Sequence, residues 1–170
     1  FDPRRVVPCH TGRWPLVTAP DGNSIDLSSV PDAASATGRE MCYLSDFDDA
    51  AWYAITSPGH GFGMRWDGDL FRYLWLWQEF ATGAGYPWWK RVHAVALEPW
   101  TSYPTLGLAE AVRRGTQLVL AAGTSVETSL VAVGFEPVGE VTGVDADGSV
   151  TFRPPTARTG DQDRQGHQRS

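Results

Sequence analysis

Lysine is almost missing from this chain. Lys90 is the single lysine, and arginine supplies the rest of the 14 basic residues against 20 acidic ones, a net charge of -6. A protein without a basic patch is a poor match for a phosphate backbone, so nucleic acid is not an expected partner. Long apolar runs are missing as well. No stretch approaches the roughly 18 residues that a spanning helix needs, so no membrane contact is expected.

Cysteine is scarce, with only Cys9 and Cys42. Neither stands in a C-x-x-C spacing and the four histidines do not gather near them, so neither a metal site nor a disulfide framework is expected. The opening "FDPRRVVPCH" has neither an initiator Met nor an apolar signal core. From this we expect a piece of a longer protein, with the cytoplasm as the default compartment.

Aromatic residues are abundant, and they are concentrated. Residues 72 to 100, "RYLWLWQEFATGAGYPWWKRVHAVALEPW", hold five of the eight tryptophans. Around them run short aromatic or β-branched segments: "AWYAITS", "GFGMRWD", "RYLWLWQEF" and "RVHAVALE". Turns rich in Gly, Pro and Asp ("SPGHG", "DGD", "GAGYP") separate these segments, a pattern of antiparallel all-β structure. Residues 1–40 read as an irregular segment with one or two short strands. Residues 41–154 read as the body of a β-sandwich, and 155–170 as a disordered tail without large apolar residues.

One helix is expected in "LGLAEAVRRG", with Leu108 and Val112 four residues apart and Gly115 closing it. Strands are expected to resume at "TQLVLA", "SVETSLVAVGF" and "GSVTFRP".

Side chains alternate along a strand. In "RYLWLWQ" this sets Tyr73, Trp75 and Trp77 on one face, with Leu74, Leu76 and Gln78 on the other. In "VHAVALE" it sets Val92, Ala94, Ala96 and Glu98 together, small residues leading up to a carboxylate. Flat rings bind the apolar C–H faces of sugars, and a carboxylate beside them makes a plausible saccharide cleft. The competing readings are plain ones: an aromatic stripe is more often core, and a lone Glu at a strand end is usually solvated. His60 reads as a turn residue and His93 as structural.

The run "VALEPWTSYPTLGLAEAVRRGTQLVLAAGTSVETSLVAVGF", preceded by "FRYLWLWQEF" and "GYPWWKRVHAVALEP", resembles the C-terminal part of the aldose 1-epimerase (galactose mutarotase-like) family. The likeness extends from about Cys42 to Phe135 and is closest to the bacterial epimerase-like branch. It implies a large antiparallel β-sandwich with one short helix, of which this chain is the C-terminal part. It also implies interconversion of the anomers of a monosaccharide without metal or organic cofactor. Glu98 matches the family's general base. The family's acid, a His far upstream, has no match here. Trp75 and Trp77 are the expected stacking platform, Gln78 a contact to a sugar hydroxyl, and Trp88 and Trp89 part of the cleft rim or of a neighbouring sheet. Two other readings stay open: a non-catalytic carbohydrate-binding module, and an accessory sandwich of a larger carbohydrate-active enzyme.

Overall fold

The computed structural model describes residues 4–153; the tail expected at 155–170 lies outside the described residues. Among the described residues the regular elements are antiparallel β-strands with one short helix, an all-β fold. The chain divides into two compact units, residues 1–49 with 67–128 and residues 50–66 with 129–170. The N-terminal segment joins the first unit, and the stretch 41–154 is split between both.

The first unit is organised around a three-stranded sheet. Its strands are β3 (Gly38–Leu44), β6 (Tyr73–Phe80) and β7 (His93–Trp100), in the order β3-β6-β7. The register runs from Gly38↔Phe80 to Leu44↔Leu74 on one side and from Tyr73↔Trp100 to Phe80↔His93 on the other. Cross-strand partners share a face. One face thus gathers Cys42, Leu44, Leu74, Leu76, Gln78, Phe80, Val95 and Leu97. The opposite face gathers Met41, Tyr43, Tyr73, Trp75, Trp77, Ala96, Glu98 and Trp100.

A small hairpin, β1 (Leu16–Thr18) with β2 (Ser24–Asp26), supplies the cover for the first of these faces. Val6, Leu27 and Leu76 form the buried cluster, with Val17, Ile25, Cys42, Leu44, Val95 and Leu97 packed around it. The hairpin exists because its turn is locally specified. Gly22 takes φ 86, and Asp21 accepts the Asn23 backbone N–H at 3.0 Å, an Asx turn. The chain ahead of it is pinned by charge: Glu40 is 3% exposed and accepts from the Val6 N–H at 3.1 Å and from Arg4 at 3.3 Å.

The helix forms as expected, at α1 (Leu108–Arg114), and Gly115 closes it at φ 70. Its buried residue is Ala111, however, while Leu108 and Val112 are exposed. Glu110 accepts from both Arg113 and Arg114, and these bonds draw its carboxyl down to about 2.

Beyond the helix the expectation holds for "GSVTFRP" and for the end of "SVETSLVAVGF", and fails before them. "TQLVLA" and the start of "SVETSLVAVGF" form no strand, and Val119 is 73% exposed. Strand propensity is a preference for a paired, half-buried surface, and among the described residues no strand pairs with this segment to provide one.

The second unit holds β4 (Ala50–Ser57), β5 (His60–Asp67) and β8 (Val131–Phe135) in one sheet. It also holds the hairpin of β9 (Glu140–Val144) and β10 (Val150–Arg153). Gly61 lies opposite Phe135, whose ring covers it so closely that a Cβ there would sit 2.1 Å from Cε2. Trp66 and Val144 are the buried anchors of this unit, at 2% and 1% exposure.

Candidate functional site

The aromatic face of the β3-β6-β7 sheet brings most of the expected residues together. β7 is the edge strand and continues through Pro99 and Trp100, so Glu98 sits inside the strand rather than at its end. An edge is where a sheet tolerates a residue such as Pro99, which has no N–H to donate. Glu98 lies directly across from Trp75, and Ala96 directly across from Trp77. Both tryptophans are half-buried, as is Glu98.

The rings on this face are ordered by one another. Trp75 stacks on Trp100, with centroids 4.2 Å apart and planes 15° from parallel. Tyr43 meets Trp75 edge-on at 5.7 Å, and Tyr103 tilts against both Tyr43 and Tyr73. The Trp75 indole N–H donates to the Ser102 carbonyl at 2.9 Å. The loop after β7 is tied down further by the Tyr43 hydroxyl, which accepts from the Thr105 N–H at 3.0 Å. Trp75 is therefore flanked on several sides by its own protein. Trp100, 41% exposed, presents more ring to solvent.

Trp100 also holds the carboxylate. Its indole N–H donates to Glu98 Oε2 at 3.0 Å. Trp100 is not among the residues expected from sequence, although a signal is present: in "EPW" the Glu and the Trp are two residues apart, and residues i and i+2 of a strand share a face.

Gln78 has to be removed from the set. It lies on the hairpin-covered face, is 2% exposed, and accepts a hydrogen bond from Arg5. The same alternation that places Trp75 and Trp77 on the aromatic face sends Gln78 to the other one. A buried amide with a guanidinium partner is a core device, satisfying a polar group that burial would otherwise penalise. Arg5 itself lies 4.9 Å from the Phe80 ring centroid, and burial lowers its pKa.

At the far end of the face, Trp88 tilts against Trp77 at 5.3 Å. Its loop is braced by Glu79, a carboxylate only 2% exposed. Glu79 Oε1 accepts from the Thr82 N–H at 2.9 Å, the Thr82 hydroxyl at 2.7 Å and the Gly83 N–H at 2.9 Å. Burial pushes the Glu79 carboxyl up, but these donors and the charge of Arg39 outweigh it, leaving the pKa lowered. Trp89 and Lys90 follow at φ 50 and 56, left-handed backbone that non-glycine residues rarely adopt. Trp89 and Tyr86 stand exposed there at 57% and 83%.

The histidines of this unit stand apart from Glu98. His93 packs against Phe80 on the covered face, 3.0 Å from the Pro31 carbonyl oxygen, and His10 lies beside Thr18. Among the described residues, no three His, Cys, Asp or Glu side chains come together as a metal ion would need, and no helix is long and apolar enough to cross a membrane. The face can offer stacking rings and one carboxylate with a free edge. Compared with protein-family models, curated proteins and solved structures, the chain matches none.

Proposed function

We propose that the aromatic face of the first unit binds a monosaccharide in its pyranose form. We further propose that the chain acts as part of a galactose mutarotase-like sandwich protein in which Glu98 is the general base for anomer exchange. The observation that carries this reading is the grouping of Glu98 and Trp100, both on the edge strand β7, with Trp75 of β6 stacked on the Trp100 ring. Ala96 and Ala94 add only methyl groups to the same face, which leaves room above the carboxylate for a ring.

The chemistry suits these residues. Glu98 takes the proton of the C1 hydroxyl as the bond between C1 and the ring oxygen breaks, and an acid protonates that ring oxygen. The open aldehyde rotates about its C1–C2 bond, and the reverse steps close the ring on either face. Glu98 returns its proton to the carbonyl oxygen at closure. General acid–base catalysis of this kind contributes about 10²–10⁴-fold in rate. The acid is expected from a segment outside this chain. The setting is the cytoplasm, with a free monosaccharide as the partner.

The test is Glu98→Gln, which keeps shape and removes the base. Sugar affinity, read from tryptophan fluorescence across a panel of aldoses, is expected to change little. Anomer exchange, read by NMR saturation transfer on the same sugars with the full-length protein, is expected to fall by at least about 100-fold. Undiminished exchange in the variant overturns the base assignment.

A non-catalytic carbohydrate-binding module is the second reading. It is favoured by one feature: Glu98 Oε2 is already engaged by an indole N–H of its own strand. Sugar binding by the full-length wild-type protein with no exchange above the solvent rate selects it. An accessory sandwich role in a larger carbohydrate-active enzyme predicts no sugar binding at this face.

A further inference from the structure

We infer that Trp100 is both the positioning residue for Glu98 and the ring on which the sugar stacks, with Trp75 serving as its backing. This rests on the proposed sugar-binding role of the face and names which residues perform it.

The geometry separates the two tryptophans. Trp75 gives one ring face to Trp100, makes a T-shaped contact with Tyr43, and spends its N–H on the Ser102 carbonyl. Little of it is left for a ligand. Trp100 gives one face to Trp75, remains 41% exposed, and spends its N–H on Glu98. Of the two rings it is the more exposed.

Stacking at 4.2 Å and 15° also fixes the plane of the Trp100 ring, and with it the direction of its N–H. A fixed donor holds Glu98 Oε2, so the carboxylate cannot swing freely along the edge strand. Oε1 makes no hydrogen bond among the described residues and is the oxygen left to accept a proton. A pyranose whose apolar C–H face lies on the outer ring of Trp100 has its anomeric hydroxyl beside Oε1. The recognised feature is a patch of C–H groups next to a hydroxyl-bearing C1, as an aldopyranose presents.

Two substitutions separate the roles. Trp100→Phe keeps a ring for Trp75 and for the sugar while removing the N–H; Trp100→Ala removes both. For Trp100→Phe, affinity is expected to stay within about threefold, because apolar stacking is retained. Its exchange rate is expected to fall about 10-fold or more, the usual range for a lost bond to a charged group. For Trp100→Ala, affinity is expected to fall at least about 10-fold. The Trp100 indole N–H resonance, assigned by its loss in Trp100→Phe, is expected to shift in Glu98→Ala, which reports the hydrogen bond, while unchanged affinity with slowed exchange in Trp100→Phe separates positioning from a purely structural role.

Unchanged exchange in Trp100→Phe overturns the positioning role, and unchanged affinity in Trp100→Ala overturns the stacking role. A wild-type protein that binds sugar without exchange ends the mutarotase reading alone, since the affinities and the indole resonance still decide Trp100. A wild-type protein that binds no sugar overturns both proposals.

Discussion

Replacing Glu79 by Ala probes how the far end of the aromatic face is held. Its Oε1 is the common acceptor for the Thr82 N–H, the Thr82 hydroxyl and the Gly83 N–H, at 2.7 to 2.9 Å. Gly83 is buried, so its N–H has no easy route to water once the carboxylate is gone. An orphaned buried donor costs about 1–3 kcal/mol, and each bond to a charged group contributes about 1.5–3 kcal/mol. Thr82 is half-buried and water can replace part of its loss. Removing a buried carboxylate also relieves its desolvation. The net expectation is a loss of about 2–4 kcal/mol.

Urea denaturation followed by tryptophan fluorescence suits the measurement, because Trp14, Trp75, Trp77, Trp88, Trp89 and Trp100 all belong to the first unit. The effect should depend on pH in a definite sense. The native carboxyl is lowered relative to the unfolded chain. Its contribution is therefore complete above the unfolded carboxylate pKa, near 4.5, and is lost as pH falls through the lower native value. The gap between wild type and Glu79→Ala should shrink in acid. A loss under about 1 kcal/mol at neutral pH, or a gap that widens in acid, refutes the account.

The cysteines should react unequally: Cys9 is exposed, while burial and then Glu40 push the Cys42 thiol up to about 11. A maleimide at pH 7 should label one thiol per folded chain and two in urea, and rapid native labelling of Cys42 contradicts the burial. In the second unit, Gly61→Ala forces the Phe135 ring away from a Cβ it would otherwise overlap. Overpacking of this kind typically costs about 1–3 kcal/mol, measurable as a lowered denaturation midpoint of that unit. An unchanged midpoint shows that the ring yields freely.

Features that depend on neighbours a few residues apart were legible. The alternation of "YLWLWQ" placed Trp75 and Trp77 together because a strand repeats every two residues whatever it pairs with. Gly115 marked the end of α1 because a left-handed residue is needed there and glycine adopts it most readily. The same rule was available for Glu98 and Trp100, and for the separation of Gln78 from the tryptophans; both were there to be read.

Which strand lies beside which was not legible. β6 pairs with β3 across the whole β4–β5 hairpin, and local composition carries no record of that choice. "TQLVLA" has the residues of a strand, yet its apolar residues Leu118, Val119 and Leu120 remain exposed, because a strand requires a neighbour as well as a propensity. Gln78 became a core residue only because Arg5, 73 positions away, arrives to satisfy it. The sequence by itself determined the β character, the helix with its stop, and which side chains share a face, since these follow from backbone periodicity. Only the tertiary structure decided the division into two units, the cover over one sheet face, and the meeting of Glu98 with Trp100's N–H over Trp75. Those depend on contacts between distant segments, where burial and hydrogen-bond satisfaction outweigh local preference.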